Sequence, residues 1–567
     1  MMKSLHQFEQ RTTNREGSAL IVVLVVIVML SLGAYTFSEL MITEYQAADT
    51  YGRQVRAQLW AESGVEYVTT LLTPDGGGFD NNLYDNSSLF HMAMDSDGGF
   101  AIVAPLENYT STAATGQTTS SGLRFGLVDE CAKLNVNVLA KFDPESGFGR
   151  DLLLGLPNMT EDVADAILDW IDEDDEPREF GAEADSYSLV IPRNGPISSL
   201  EELLLVMGVD PFLMYGEDGN RNGVLDPNED DADQSLPYDN ADGVLDLGWS
   251  AHLTVSSKEG NFRHAYDRFG EERLNVNEPL LTDLYDLLEE EYGTDIATFI
   301  TAYRLKGPAT DETLGVDLDD IAMEVLVPDE NPLIGFGDSE STGDLATDEA
   351  LADAAEGVAD ALFSGDGGAV TRGGMDLTEG ASTEINSLFE LIDAEVVVEI
   401  EGRETTLTSP WTSDPGLLQE SLPDLMDSLT VTTQSEIIGR LNINQARPEV
   451  LMGIPGIPED LPGLIVATRE RLANDSSQLA TSGWLLTRGL VDLETMRLLD
   501  GFITTRGDVM SMQVIGYADR GGPITRIEAV VDASQEIPQV ISQRVLTELG
   551  PGYRRDQLPA FGQDANP

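Results

Sequence analysis

Twenty consecutive uncharged residues, from Ser18 to Phe37, constrain this 567-residue chain more than any other feature. Ala19 to Leu30 are almost all Leu, Ile and Val. At about 1.5 Å per residue, such a helix spans a hydrocarbon core of roughly 30 Å. The apolar pattern does not stop there. Met41, Tyr45, Ala48, Gly52, Val55 and Leu59 recur at steps of four and three, and Ala61, Val65, Val68 and Leu72 carry the stripe on after a small phase shift. The first proline is Pro74. One helix is therefore expected to leave a membrane and continue as an amphipathic stem.

Orientation follows from the flanks. Lys3, Arg11 and Arg15 precede the span, and Glu39, Glu44 and Asp49 follow it. By the positive-inside rule the short N-terminus is cytoplasmic and everything after Phe37 lies outside. A secretory signal peptide has the same opening, with small residues at Ser31 and Gly33 before a cut. A cleaved signal, however, leaves the amphipathic continuation without a purpose.

The chain carries 101 acidic against 32 basic residues, a net charge of −69. Such a surface repels phosphate backbones and anionic headgroups, and it attracts divalent cations. A hydrophobic content of 41% fits a folded protein with acidic faces rather than a disordered acidic chain. The single cysteine, Cys131, excludes an intrachain disulfide and is expected as a small buried apolar side chain among strand-like residues.

A four-residue pattern occurs three times: Leu134-Asn135-Val136-Asn137, Leu274-Asn275-Val276-Asn277 and Leu441-Asn442-Ile443-Asn444. Each follows a base (Lys133, Arg273, Arg440) and precedes a helical-hairpin pattern. Val509 to Tyr517 is expected to pair with Ile524 to Val531. Between Asp329 and Asp376 lie twelve acidic residues and one base, Arg372, which reads as an acidic linker with a helix candidate at Ala350 to Phe363.

Two acidic stretches carry the candidate chemistry. Asp169 to Glu176 closes a helix with carboxylates that oppose its dipole, so Arg178 or a bound cation is the expected counter-charge. Beyond it, Asp218-x-Asn220-x-Asn222-Gly223-Val224-Leu225-Asp226-x-x-Glu229 fits the twelve-residue EF-hand loop at each defining position. Asp218, Asn220, Asn222, Asp226 and Glu229 offer side-chain oxygens, Val224 its carbonyl, and Gly223 the tight bend. That donor set suits Ca²⁺ in a structural role, because two long flanking helices are missing. Asp239-Asn240-Ala241-Asp242-Gly243-Val244-Leu245-Asp246 repeats half the pattern. Asp239, Asp242 and Asp246, completed by Asp231 or Asp233, are the candidates for a second ion; an ordinary Asp/Asn/Gly turn is the alternative.

Arg15-Glu16-Gly17-Ser18-Ala19-Leu20, a basic leader ending in Gly before an apolar helix, resembles type IV prepilins and pseudopilins. The resemblance implies cleavage between Gly17 and Ser18 by a membrane prepilin peptidase and methylation of the new N-terminus. Most such chains carry Glu at the fifth mature position, where this one has Val22. A buried carboxylate is costly without a partner, so its absence points to a subunit with no neighbour above it.

Val128 to Asn137, Ala166 to Arg178, Gly181-Ala182-Glu183, Asn194-Gly195-Pro196 and Ser199 to Leu204 together resemble general secretion pathway protein K, a minor pseudopilin of type II secretion systems. The resemblance covers about residues 15–70 and 123–277. It implies a non-enzymatic, calcium-stabilised cap on the pseudopilus, on the inner membrane with its head in the periplasm, partnered by other minor pseudopilins. Gly453-Ile454-Pro455-Gly456-Ile457 resembles a helix-hairpin-helix module. A membrane-anchored DNA receptor is thus the competing class, with a type IV pilus minor pilin beside it. The acidic charge argues against nucleic acid.

The expected fold is α+β: a long N-terminal transmembrane and stem helix, and a pilin-like α/β domain with inserted helical domains. The expected partition is leader 1–17, stem 18–72, pilin-like β region 73–137, inserted helical domain 138–210, calcium segment 211–250 and second repeat 251–328. An acidic linker 329–384, a third repeat with C-terminal hairpin 385–549 and a disordered tail 550–567 complete it.

Overall fold

The computed structural model describes residues 16–74, 82–95, 97–106, 123–141, 147–260, 266, 271–309, 370–454, 456–472, 476–518, 521–554 and 557–561. The expected leader residues before Glu16 and the helix candidate at 350–363 lie outside them.

A single helix, Glu16–Leu71, contains both the apolar run and the stem. It is long and apolar enough to cross a membrane. From Ala19 to Arg56 it is bare, with Met41, Tyr45 and Val55 exposed, and Leu59 is exposed farther on. Burial begins at Ala57 and continues through Trp60, Ala61, Val65, Val68 and Leu72, the helical spacing of one face. This face packs on an antiparallel sheet whose inner residues are Phe100, Ile102, Met510, Met512, Val514, Ile527, Ala529 and Val531.

The sheet runs His91–Ala93, Gly98–Pro105, Val509–Ala518, Thr525–Asp532, Gln539–Val545, with Leu123–Arg124 and Val128–Asp129 pairing at its margins. Strand Val509–Ala518 sits in the middle. Val514 faces Ile102 on one side and Ile527 on the other. Alternation sends Met510, Met512 and Val514 to the stem and Ile515 and Tyr517 to the opposite face. The expected C-terminal hairpin is present, but grouping it with the third repeat needs correction. It completes the sheet begun by Gly98–Pro105, and everything between Asp129 and Val509 is an excursion from that sheet.

The excursion is built of three units on one plan. Leu134-Asn135 pairs in parallel with Leu253-Thr254, Leu274-Asn275 with Leu429-Thr430, and Leu441-Asn442 with Ile503-Thr504. The second Asn of each pattern is the clasp. Asn137 Nδ2 donates to the carbonyls of Ile197 and Val255, Asn277 Nδ2 to those of Ile385 and Val431, and Asn444 Nδ2 to those of Leu479 and Thr505. One amide thus closes each loop by satisfying two otherwise orphaned carbonyls. Each unit then supplies its helical pair: Phe148–Leu154 with Glu161–Ile171, Leu281–Tyr292 with Thr294–Lys306, and Pro448–Met452 with Leu461–Leu472.

Units one and three meet the sheet at a polar junction. The carboxylate of Asp129, fully buried, accepts from Cys131 N, Asn442 Nδ2 and Gly507 N. Arg440 pairs with buried Glu259 at 2.6 Å. Cys131 is buried, as expected.

Two boundaries differ from expectation. Residues 370–384, assigned to the acidic linker, fold: Thr371–Arg372 pairs with Met375–Asp376, and Met375 is buried in the main core. The disordered tail does not hold for its first part either. Tyr553 and Leu558 pack with Ala101, Val103, Ile515 and Tyr517, and Tyr517 Oη donates to Pro559 O at 2.7 Å. Two buried side chains and a buried hydroxyl bond offset the chain entropy of a short ordered tail.

His252, 2% exposed where unit one meets unit three, has its pKa lowered to about 4 by burial and, next, by the charge of Arg447. Its Nδ1 lies 3.0 Å from Gly248 O. A lowered folded pKa means that the unfolded chain binds the proton more tightly. The stability contribution is therefore complete above about pH 6.5 and is lost as pH falls toward 4. At pH 5 the expected loss is about 2 kcal/mol. Urea titrations at pH 7.5 and 5 should show this component in the parent and lack it in His252→Gln.

Candidate metal centres between the helical insert and the sheet

A short helix, Pro211–Tyr215, capped by Asp210, delivers the chain to the loop 218–229. Gly223 takes φ +67°, the left-handed conformation the tight bend requires. Asp218 Oδ1 accepts from Asn222 N at 3.0 Å and its Oδ2 from Gly223 N at 2.8 Å. Asn222 Oδ1 accepts from Val224 N at 2.7 Å, and Asn220 Nδ2 donates to Asp226 Oδ2 at 2.7 Å. Glu229 reaches back so that its Oε2 accepts from Asp226 N at 3.0 Å. The six positions singled out in the sequence thus wrap on one another.

Two oxygens in this wrap are buried without a hydrogen-bond partner, Asn220 Oδ1 and Glu229 Oε1. Asp218, Asn222 and Glu229 are all buried. Burial raises the pKa of Asp218, and it raises that of Glu229 to about 7, with the charges of Asp218 and Asp226 adding to the effect. These are the signs of buried acceptors that converge, offset at Asp218 in part by backbone N–H groups and the Arg526 charge.

The loop is clipped to the outer face of the sheet. Gln513 Nε2 donates to Arg221 O at 2.6 Å, Tyr553 Oη donates to Asn222 O at 3.2 Å, and the Arg526 guanidinium donates to Asn220 O. Asn222 Nδ2 also donates to Gly552 O in the tail. Val224 completes the apolar contact beside Ile515 and Tyr517.

The second half-pattern folds as a copy of the first. Asn240 Nδ2 donates to Asp246 Oδ2 at 3.0 Å, as Asn220 does to Asp226, and Val244 N donates to Asp242 Oδ1 at 2.8 Å, as Val224 does to Asn222. Its missing ends come from elsewhere. Glu217 Oε2 accepts from Asp246 N at 3.0 Å, the bond Glu229 makes in the first loop, and Asp230 Oδ1 accepts from Gly243 N at 3.1 Å, the bond Asp218 makes. Glu217 is positioned by the Gly216–Leu247 bridge and by its own N–H to Asp246 O.

Asp239 is not turned into this loop. Its oxygens accept from the N–H groups of Asp231, Ala232 and Ala241. Asp231 bonds Ser235 instead, and the side chain of Asp233 lies outside the described residues. Sequence reading missed Glu217 and Asp230 because the strand bridge that recruits Glu217 leaves no local spacing to read.

The hairpin at Gly453 is occupied by protein. A Cβ on Gly453 would meet Leu152 at 3.0 Å, and one on Gly155 would meet Glu449 O at 3.2 Å, so the hairpins of units one and three pack together. Arg469 is buried and donates to Ile443 O and Ala446 O. It is spent on the fold rather than offered to a phosphate.

Unit one carries the family signature. Residues 132–215 match the family model for protein K of the type II secretion system. That segment is similar to protein K. The type II secretion system protein K of Dickeya chrysanthemi is 46% identical over 57 residues, 10% of this chain and 16% of that relative. The chain thus matches only a small part of that relative's length. No solved structure matches significantly. The protein K match covers the first part of unit one, through the short helix Pro211–Tyr215, and ends before the loop 218–229.

Proposed function

We propose that this chain is a minor pseudopilin that caps the pseudopilus of a type II secretion system, structural rather than catalytic, with a calcium-braced head in the periplasm. The observation that carries this reading is the protein K match on a unit inserted into a sheet that packs on a single apolar N-terminal helix. The bare stretch of that helix supports assembly. Met41, Tyr45, Val55 and Leu59 form an exposed apolar stripe with no partner among the described residues of this chain, as a stem that packs against other pseudopilins outside the inner membrane requires. Val22 fits a tip position, where no subunit above would neutralise a buried carboxylate.

Calcium is supported by the two orphaned oxygens, Asn220 Oδ1 and Glu229 Oε1, in an all-oxygen donor set. Asp218, Asn222, the Val224 carbonyl and Asp226 would complete the first site. Asp230, Asn240, Asp242, the Val244 carbonyl, Asp246 and Glu217 would form a second, with Asp239 outside it. Bound there, calcium would neutralise carboxylates that otherwise repel. DNA uptake is the weaker class, since the hairpin is packed and Arg469 is buried.

Processing tests the reading. Mass analysis of the N-terminal peptide from membranes containing prepilin peptidase should find a methylated chain beginning at Ser18, and Gly17→Val should block the cut. A chain beginning at Ala34 would establish a signal peptide and remove the pseudopilin assignment.

A further inference from the structure

Strand Gln539–Val545 closes one side of the sheet. It pairs with Thr525–Asp532 and, among the described residues, with no strand beyond it. Alternate residues of such a strand leave N–H and C=O groups pointing away from the sheet, a ready template for another chain. Folds usually cover an edge of this kind or arm it with charge. Neither device is present among the described residues. Val540, Ile541 and Val545 are 37%, 45% and 52% exposed, and the strand's one charge is Arg544. That guanidinium donates to Glu201 of unit one, so it pins the edge beneath the insert rather than guarding it.

The register gives an incoming chain two different faces. Val545 lies opposite Ile527, Gln543 opposite Ala529 and Val540 opposite Val531, on the stem side of the sheet. Arg544 and Ser542 lie opposite Glu528 and Val530 on the outer side, beside a cleft of about 660 Å³ between the sheet and unit one. A bulge adds Ile541 to the strand and places it on the wall of that cleft as well. A bulged edge pairs poorly with an arbitrary flat strand, so it selects a partner shaped to it.

Charge narrows the partner further. On a chain with 101 acidic residues, none falls between Gln539 and Thr547, while exposed Glu536 and Glu548 stand beyond the two ends. The middle of the edge accepts apolar and small polar side chains, and its ends attract bases.

We propose that the edge Gln539–Val545 binds an extended segment of another protein by strand addition. That segment alternates β-branched apolar with small polar residues and carries a base at each end. Backbone hydrogen bonds supply affinity, and the two faces supply specificity. The apolar side chains cover Val540 and Val545, and the polar ones enter the cleft past Ile541 and Ser542.

The test uses the full-length detergent-solubilised protein and the fluorescent peptide Lys-Thr-Val-Ser-Ile-Thr-Val-Ser-Lys. Its fully N-methylated counterpart is the control, with the same charge but no backbone donors. By anisotropy the parent should bind the peptide and not the control, and isotope-labelled carbonyls in the bound peptide should give the infrared band of a paired strand. Val545→Lys and Ile541→Lys, both at exposed positions, should each weaken binding roughly tenfold. Glu536→Gln combined with Glu548→Gln should flatten its salt dependence. Equal binding of peptide and control, or equal binding by the parent and both lysine variants, would overturn the proposal. So would a parent that binds neither peptide, or a dimer in sedimentation that Val545→Lys splits, which would assign the edge to a second copy of this chain.

Discussion

Glu229→Ala is expected to abolish the rise in melting temperature that millimolar calcium gives the parent protein. In the folded chain Glu229 closes the loop 218–229, accepting from Asp226 N while Oε1 stays buried without a partner. An ion bound only by the folded state stabilises it by mass action, about 2.7 kcal/mol at a hundredfold excess over its dissociation constant. For a large domain this corresponds to a shift of roughly 5 °C. The consequence should reach beyond the loop, because the loop is also a clip. Gln513, Arg526, Tyr553 and Gly552 bond its backbone or side chains from the sheet and the tail. Chelation should therefore increase proteolytic cutting in the tail around Arg554 as well as lower the melting point. Equal melting temperatures in chelator and in calcium, with no bound ion by titration, would reduce the loop to an acidic turn.

The larger loss is expected from Gly516→Ala. A Cβ there would stand 1.9 Å from Ala57 O and 2.9 Å from Ala61 N, both backbone atoms of the stem helix. Neither atom can move alone, so the added methyl must lift the helix off the central strand. Gly64 on the helix shows the reciprocal approach, with Val514 Cγ1 at 2.4 Å from the Cβ it lacks. Overpacking against a side chain costs about 1–3 kcal/mol. Against fixed backbone we expect the upper end or beyond, about 3 kcal/mol, measured as a fall in urea midpoint with an unchanged slope. Gly463→Ala is the opposite case. It lies in helix Leu461–Leu472 with nothing within 4 Å of the added Cβ, and should stabilise by about 0.5–1 kcal/mol. A neutral Gly516→Ala would mean that the stem does not seat on the sheet at this distance.

Local chemistry was legible in the chain itself. The twenty uncharged residues and the stripe behind them specify a long helix, because hydrophobic periodicity is a property of consecutive residues. The loop 218–229 was readable for the same reason: its oxygens lie at fixed spacings within twelve residues, and the fold leaves them converging. The repeated Leu-Asn-x-Asn pattern announced three units, but not their parallel partners, Leu253-Thr254, Leu429-Thr430 and Ile503-Thr504.

Long-range pairing decided the rest. Gly98–Pro105 and Val509–Ala518 are neighbours in one sheet although an excursion of three units separates them, and nothing in either strand names the other. Strand pairing depends on edge-to-edge hydrogen bonds that any apolar alternating segment can make, so only the assembled core selects the partner. The same holds for the second acidic loop, 239–246. Glu217 and Asp230 enter it because the Gly216–Leu247 bridge folds the segment back on itself. Spacing along the chain is enough when donors are within a dozen residues of each other. When they come from separate turns, the burial that brings them together is a property of the whole fold.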